Sequence, residues 1–548
     1  MKSVFKVKAI TVLTAMLFIC VFTFTACPNT VNKPDTSSAG NPSNPPVVPP
    51  KPPVTPPSAD DITITVIGDE HVQIKQSSFT VPKGSVWLVV VVKAIDCVDY
   101  ETGWELKCWK RGGKTGPVIN WVGEQTFNTS ATIYAQVQQT AAKVEGGVSF
   151  LLDPSQLQLK IKAVTEDNSA VTVEGCTETS IPSGQEKNLT ATSTQVVLKG
   201  KITELYCDRN KITSLNVQGL NALKHLDCSG NQLTSLDVQG LTALEKLDCY
   251  YNNYLTSLNV QGLNRLQKLN CASCLLTSLN VQGLINLQYL ECHYNQLSSL
   301  NVQGLSALKM LECYGLGYGI QLTSLNLQNL PALEWLRCDR HRLTSLDVQD
   351  LTALQVLSCT ENLLVSLDVR HLTVLRELYC SFNKLKVLNV QGLANLETLQ
   401  CYRNELSSLN MQGLASLRGL DCCYNQLTSL DTHGLPYLGF VHCYNNRLTS
   451  LDVRDLPALT SLYCWGNKLD AQAFVKIFND LPVKTGNNYP YQFCGLYSED
   501  PQDQESNHTD FNDPPELKEA FERAKTHKNW VMKKAKHRPD GVYEYTEI

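Results

Sequence analysis

Strong charge is the first thing this 548-residue sequence does without: 18% of its residues are charged and the formal net charge is −5. A chain so balanced offers no electrostatic case for binding nucleic acid, which begins with clustered lysine and arginine. Catalytic signatures are missing as well. Neither HExxH nor GxSxG occurs, and Gly113-Lys114-Thr115 does not close a phosphate-binding loop, because Cys108 stands five residues before Gly113 where the cradle needs glycine. The carboxylates are scattered, so no enzyme, no catalytic residue and no cofactor is expected. Cysteine is abundant, at 21 residues, yet no CxxC pair faces another such pair. The lone CxxC, Cys271 and Cys274, makes no metal site by itself, and none is expected.

What is there is a repeat. From Ile202 to Leu469 a 21-residue unit, LxxLxCxxNxLTSL(N/D)VQGLxA, is written thirteen times, with Leu223 to Ala243 a clean copy. Its beat is Cys207, Cys228, Cys249, Cys271, Cys292, Cys313, Cys338, Cys359, Cys380, Cys401, Cys422, Cys443 and Cys464. All gaps are 21 residues except 22 from Cys249 to Cys271 and 25 from Cys313 to Cys338. A fixed period of this length marks a solenoid. The second Leu of LxxLxC and the Cys are two apart, so on a strand they point the same way, as do Leu and Val of LTSLxV. Each repeat thus offers two short strands whose apolar residues one coil cannot bury, and stacking closes the core.

The cysteines read as small apolar fillers between leucines. Disulfides along the ladder are disfavoured, because neighbours on parallel strands sit ~4.8 Å apart, wider than a disulfide prefers. Three residues after the Cys, ten copies carry Asn: Asn210, Asn231, Asn252, Asn295, Asn362, Asn383, Asn404, Asn425, Asn446 and Asn467. An amide there can satisfy backbone groups of adjacent coils. Cys274, Leu316 and His341 stand in its place in the other three. The Asn or Asp after each TSL reads as an exposed, solvated ladder on the second strand.

These residues resemble the bacterial leucine-rich repeats, specifically the short Cys-bearing 21-residue type of treponemal leucine-rich-repeat lipoproteins. The resemblance covers about half the chain. It implies an exported or surface recognition protein and no enzyme. The fold expected is mainly β: a solenoid of about thirteen coils with two short parallel strands each, preceded by a small β-grasp-like domain and closed by a C-terminal helical cap.

Taken in order, residues 1–27 carry Lys2, Lys6 and Lys8, then an uncharged, mostly apolar run from Ala9 to Ala26. That is the pattern of a secretory signal. Phe24-Thr25-Ala26-Cys27 resembles a lipobox, with Phe24 and Thr25 departing from its commonest residues, and the resemblance implies that Cys27 becomes the lipidated first residue. The other reading is an uncleaved anchor helix, for which the run is barely long enough. Either tethers the chain to a membrane. Residues 28–60 are proline-rich and suit an extended polyproline stalk.

Residues 61–143 form a small domain: ITITVIG, HVQIK and TIYAQVQ alternate as half-buried strands do. The segment Gly103-Trp104-Glu105-Leu106, with Trp109, Phe127 and Ile133-Tyr134-Ala135, looks like the β-grasp-like repeats of bacterial surface proteins, which implies a helix over Val86 to Val92 against that stretch's strand propensity. Cys97 and Cys108 either pair or stand as isolated thiols. Residues 144–200 continue as strands placed to cap the open end of the solenoid at 201–469. Residues 470–548 close the other end. Phe474, Ile477, Phe478 and Leu481 have helical spacing behind Asp470 as N-cap, and a second helix opens at Asp513-Pro514-Pro515. The basic run Lys533 to Arg538 reads as a solvated turn, and VYEY as a last strand.

Function is sought where the repeats differ. The LTSLxVQGL half barely varies, whereas outward positions flanking the Cys strand do. Immediately after the Cys lie Tyr250, His293, Tyr314, Tyr402, Tyr444 and Trp465; immediately before it lie Tyr206, Tyr379 and Tyr463; Trp335 and Phe440 lie two further back. The 25-residue repeat adds a glycine-rich loop bearing Tyr318. Tyrosine and tryptophan anchor interfaces by burying much area at small entropic cost. These twelve residues are the expected partner-binding set. The chain is expected to be an outer-membrane, cell-surface lipoprotein that adheres to a host or bacterial surface protein. The alternatives are a glycan- or envelope-polymer-binding module using the same aromatics, or a passive periplasmic spacer.

Overall fold

Leucine, cysteine and asparagine each do one job per coil, and the computed structural model shows how the three combine. It describes residues 61–548 apart from 84, 87–89, 91–93, 95–97, 101–103, 113, 115–125, 128–129, 320, 484–491, 501–502, 504 and 538–542. Cys27, the stalk, the Cys97–Cys108 pairing and most of Val86 to Val92 lie outside the described residues.

In most coils a three-residue strand carries its central Leu inward and its two flanking residues outward, as in His225–Asp227 around buried Leu226; in Phe440–His442 the central residue is Val441. The strands pair in parallel and in register, Leu226 with Leu247 and Leu247 with Leu269, and so on to Leu462. Together with both caps they make one 18-stranded sheet. All thirteen ladder cysteines are buried and free. Burial of the thiol in an apolar interior disfavours the thiolate and pushes each pKa up, to about 12 for Cys380.

Two residues past the Cys the backbone enters the left-handed region, at φ 56° for Arg209, 52° for Phe382 and 49° for Tyr424. A non-glycine residue adopts that conformation at a cost of roughly 1 kcal/mol. It ends the strand and turns the next side chain inward. That side chain is the Asn. Asn383 accepts from Leu364 N at 3.0 Å and donates to the carbonyls of Cys359 and Cys380 at 3.0 and 3.1 Å. Every regular coil repeats these bonds, so the amide ties each coil to its predecessor, as the spacing suggests. His341 substitutes with its ring nitrogens, at 2.7 Å from Cys313 O and 3.4 Å from Leu322 N. Cys274 offers only a thiol, 3.5 Å from Cys249 O.

The second strand per coil is not what forms. Past the first coil, whose second strand Ile212–Asn216 pairs with the N-terminal cap, the side opposite the sheet shows among the described residues isolated bridges, such as Asn280 with Asn301, and one two-residue pair, Leu367–Asp368 with Leu388–Asn389. The reason is local. The side-chain oxygen of each Asn or Asp after TSL accepts the amide two residues on, as Asp237 does from Gln239 at 2.9 Å and Asn389 from Gln391 at 3.1 Å. This Asx turn bends the chain before a ladder can extend. It needs only an acceptor, which explains why Asn and Asp interchange there.

One apolar core runs from Val148 to Met532 without interruption. At its start, Gln158–Thr165 pairs antiparallel with Ile202–Tyr206, and Gly147–Leu152 pairs antiparallel with Ile212–Asn216, covering both sides of the first coil. The asparagine ladder terminates on Lys160, whose N and O meet the Asn210 amide at 2.7 and 3.0 Å. At its end, Asp470 caps α1 (Ala471–Asp480) by accepting from Ala473 N at 2.8 Å. Helix α1 buries Phe474, Ile477 and Phe478 against α2 (Pro515–Thr526), with Phe511 and Phe521 stacked between them. The basic run is no turn: Val531–His537 is a strand, paired antiparallel with Tyr543–Glu547.

The N-terminal domain has its own core around Ile64, Trp109 and Ile133. Its sheet places Asp61–Gly68 parallel to Ala131–Gln139, with an antiparallel neighbour on each side, in a β-grasp-like order. Leu275 and Leu316 of the solenoid join that core. Leu275 occupies a position that is polar in most other coils (Lys211, Gln232, Gln296, Arg342, Lys384) and is 2% exposed. The departures from the repeat at Cys274-Leu275 and Leu316 are therefore where the N-terminal domain docks.

Candidate interaction face

Outward residues of the parallel strands, with the residue after each Cys, form one continuous face. Of the twelve expected anchors, Phe440 and Tyr318 are open to solvent, at 54% and 52% exposure. Tyr206, Tyr250, His293, Tyr314, Trp335, Tyr379, Tyr402, Tyr444 and Tyr463 are half-buried. Trp465 is a correction: it is 0% exposed. The strand Tyr543–Glu547, far along the chain, lies over it, with Tyr543 and Tyr545 ring centroids 5.4 and 5.8 Å from its indole.

The structure gathers the anchors into two groups. In the middle, His293 stacks on Tyr314 (4.3 Å, 8°), Tyr294 meets both edge-on, and the Arg337 guanidinium lies 4.5 Å over Tyr314. Arg337 sits between Glu312 at 3.9 Å and Asp339 at 3.6 Å. Asp339 accepts from Ser358 Oγ and Thr360 N at 2.5 and 2.8 Å. Burial raises the Asp339 pKa, against the pull of Arg337 and these bonds. Burial pushes the His293 imidazole down to about 4, so it is neutral near pH 7. Its 3.7 Å approach to Glu312 is then a polar contact and no ion pair. Trp335 stands beside this group with its indole N–H buried and without a hydrogen-bond partner.

The second group is at the C-terminal end. Tyr444 stacks on Trp465 (4.1 Å, 14°), His442 on Tyr463 (4.7 Å, 24°), and Tyr545 on Tyr463 (5.1 Å, 6°). Between the groups, Tyr402 packs edge-on against Phe382, and Arg403 lies over both Phe382 and Tyr424. Tyr206 and Tyr379 stand apart, each hydroxyl donated to the carboxylate two residues back, Glu204 and Glu377. Tyr250 meets Tyr251 edge-on.

Reading only the columns beside the Cys missed Tyr251, Tyr294, Phe382 and Tyr424, which occupy the left-handed position two residues past it. An aromatic in that column was visible in the repeat alignment. Tyr289 and Tyr437, 41% and 56% exposed, were also passed over.

The fold is thus a leucine-rich-repeat solenoid, and the leucine-rich-repeat family model (two copies) matches residues 221–265. Among solved structures, the chain is similar to the functional domain of InlJ from Listeria monocytogenes, which includes a cysteine ladder, at 28% identity over 57% of this chain and 78% of that one (TM-score 0.40). It is similar to a leucine-rich-repeat protein of Leptospira interrogans at 25% identity, over 50% and 81% of the two chains (TM-score 0.42). It is also similar to YopM from Yersinia enterocolitica at 27%, over 49% and 56% (TM-score 0.42). A search of curated proteins finds no match. Among the described residues, no helix is long and apolar enough to cross a membrane, and no cluster of His, Cys, Asp or Glu could hold a metal ion.

Proposed function

We propose that this chain is an exported protein, held to a membrane through lipidated Cys27, that binds a host or bacterial surface protein with the strand-bearing face of its solenoid. One observation carries the reading. Half-buried aromatics, fixed from below by the cysteine and asparagine ladders, run along one rigid face with charged neighbours at Glu312, Arg337 and Asp339. Rigid aromatic anchors ringed by paired charge are what protein interfaces concentrate their energy in. The glycan reading asks for an open ring face on which a sugar can stack. Tyr314 has both faces occupied, by His293 from the coil before and Arg337 from the coil after. That favours a protein partner.

The test pairs two variants in binding to proteins extracted from host matrix and cell surfaces, with each captured protein then titrated in pure form. Tyr314→Ala with Arg337→Ala should weaken binding at least ten-fold. Val387→Asp, on the opposite side at 69% exposure, should leave it unchanged. Equal loss in both, or in neither, overturns the face assignment. Protease shaving of intact cells reports separately on surface display, and labelled-lipid incorporation lost in Cys27→Ala reports on the anchor.

A further inference from the structure

We propose that the strand Tyr543–Glu547 is a resident ligand of the strand-bearing face, and that this end of the face takes an extended segment bearing two tyrosines two residues apart. The inference rests on the strand-bearing face being the binding face, and adds what kind of segment it takes.

Along an extended strand, residues two apart project to the same side. Tyr543 and Tyr545 do so, and both land on the face's own aromatics. Tyr545 stacks flat on Tyr463 at 5.1 Å. Tyr543 meets Tyr444 edge-on at 5.9 Å, and its hydroxyl lies 2.9 Å from the Tyr424 hydroxyl and donates to Asp503 Oδ1 at 2.7 Å. Asp503 is itself held by Asn445 Nδ2 at 3.0 Å. The two tyrosines therefore read three consecutive coils, those of Cys422, Cys443 and Cys464.

The strand is an edge. Among the described residues its backbone pairs with Val531–His537 on one side, and its burial pattern has no fully buried residue. The fully buried apolar residues of the cap, Trp530, Met532 and Ala535, precede it, and Ile548 just after it packs half-buried against the core, its N donating to Met532 O at 3.0 Å and its O accepting from Lys525 Nζ at 3.0 Å. Beneath it lies surface that a cap has no need to make aromatic: Tyr444, Tyr463 and Trp465. An edge strand that meets such a platform through two tyrosines, with no fully buried residue of its own, behaves as an occupant that another segment of the same chemistry can replace.

The experiment uses the peptide GVYEYTEI (residues 541–548) carrying a fluorophore, read by anisotropy against the intact chain and a chain ending at Asp540. The shortened chain should bind it, the intact chain at least ten-fold more weakly, and a peptide with Tyr545→Ala should not bind. A shortened chain that keeps its thermal transition yet ignores the peptide, or binds the Tyr545→Ala peptide equally, overturns the proposal. Should shortening abolish the transition, the intact chain carrying Tyr543→Ala and Tyr545→Ala decides by hydrogen exchange. Loss of protection confined to residues 543–547 is expected, and retained protection there overturns it. The Tyr314/Arg337 comparison lies elsewhere on the face, so its failure would sink the broader reading while this result could still stand.

Discussion

The side-chain oxygen of Asn507 accepts the amide of Leu469 at 2.9 Å, from 38 residues away. In the regular coils the acceptor of the same bond is an asparagine 19 residues on, as where Leu448 N donates to Asn467 Oδ1. Asn507 also donates to the carbonyls of Cys464 and Leu496, each at 2.9 Å. The ladder is thus finished by a residue outside the repeat.

Asn507→Ala would strand the buried amide of Leu469 and the carbonyl of Leu496, while Cys464 O keeps its bond from Asn467 Nδ2 at 2.9 Å. At roughly 1–3 kcal/mol per unmet group, with partial relaxation, the last coil and α1 should lose about 3 kcal/mol of local stability. Hydrogen exchange should show faster opening at Leu469 and α1 and little change near Cys228, since coils couple mainly to their neighbours. Uniform destabilisation of all coils would contradict this.

His341 makes the ladder sensitive to acid. Accepting from Leu322 N while donating to Cys313 O requires the neutral ring. Burial accordingly lowers its pKa. A histidine whose folded pKa is depressed contributes stability above its unfolded value of about 6.5, and that stability is lost as pH falls from there through the folded pKa. His341→Asn should remove this dependence. Between pH 7 and 5, exchange at Leu322 should accelerate in the parent chain beyond the loss shown by the variant.

The interior was legible because its period is strict: an inward Leu, an inward Cys and an inward Asn each recur on a 21-residue beat. The faces were less so. Asx turns at Asp237 and its equivalents removed the second strand, a local hydrogen-bond choice that apolar spacing does not report. Trp465 occupies an outward position by every periodic rule. Residues from farther along the chain, Gly495 and the strand some eighty residues on, help bury it, and no periodicity links them to it. Asn507 escaped for the same reason. Leu316 sits in the glycine-rich loop of the 25-residue repeat, yet it packs on the N-terminal domain while neighbouring Tyr318 remains exposed.

Leu275→Gln puts into the Cys271 coil the residue that several other coils carry. Burying a leucine side chain is worth about 2 kcal/mol, so the N-terminal domain should dock that much more weakly. The variant should show faster protease cleavage between that domain and the solenoid, and a larger radius of gyration in solution scattering, with the thermal transition of the solenoid unchanged. An unaltered scattering profile would mean that Leu275 does not hold the domain.

The cysteine column can be tested as filler. With its thiol pushed to about 12, Cys380 carries almost no thiolate at pH 8, and its sulfur is wholly buried. Iodoacetamide should therefore label the thirteen ladder cysteines only in denaturant. Cys176, half-buried with a pKa raised to about 11, should be the earlier of the described cysteines to react. If the sulfur serves only by its size and apolarity, Cys380→Ala should cost about 1 kcal/mol, the loss of one small buried group. Cys380→Ser keeps the volume but buries a hydroxyl, which costs about 1–3 kcal/mol unless it finds an acceptor. Ser less stable than Ala in urea denaturation is the outcome that identifies an apolar filler. Ser equal to the parent chain would instead identify a hydrogen-bonding role, of the kind Cys338 hints at where its sulfur lies 3.5 Å from Ser358 O.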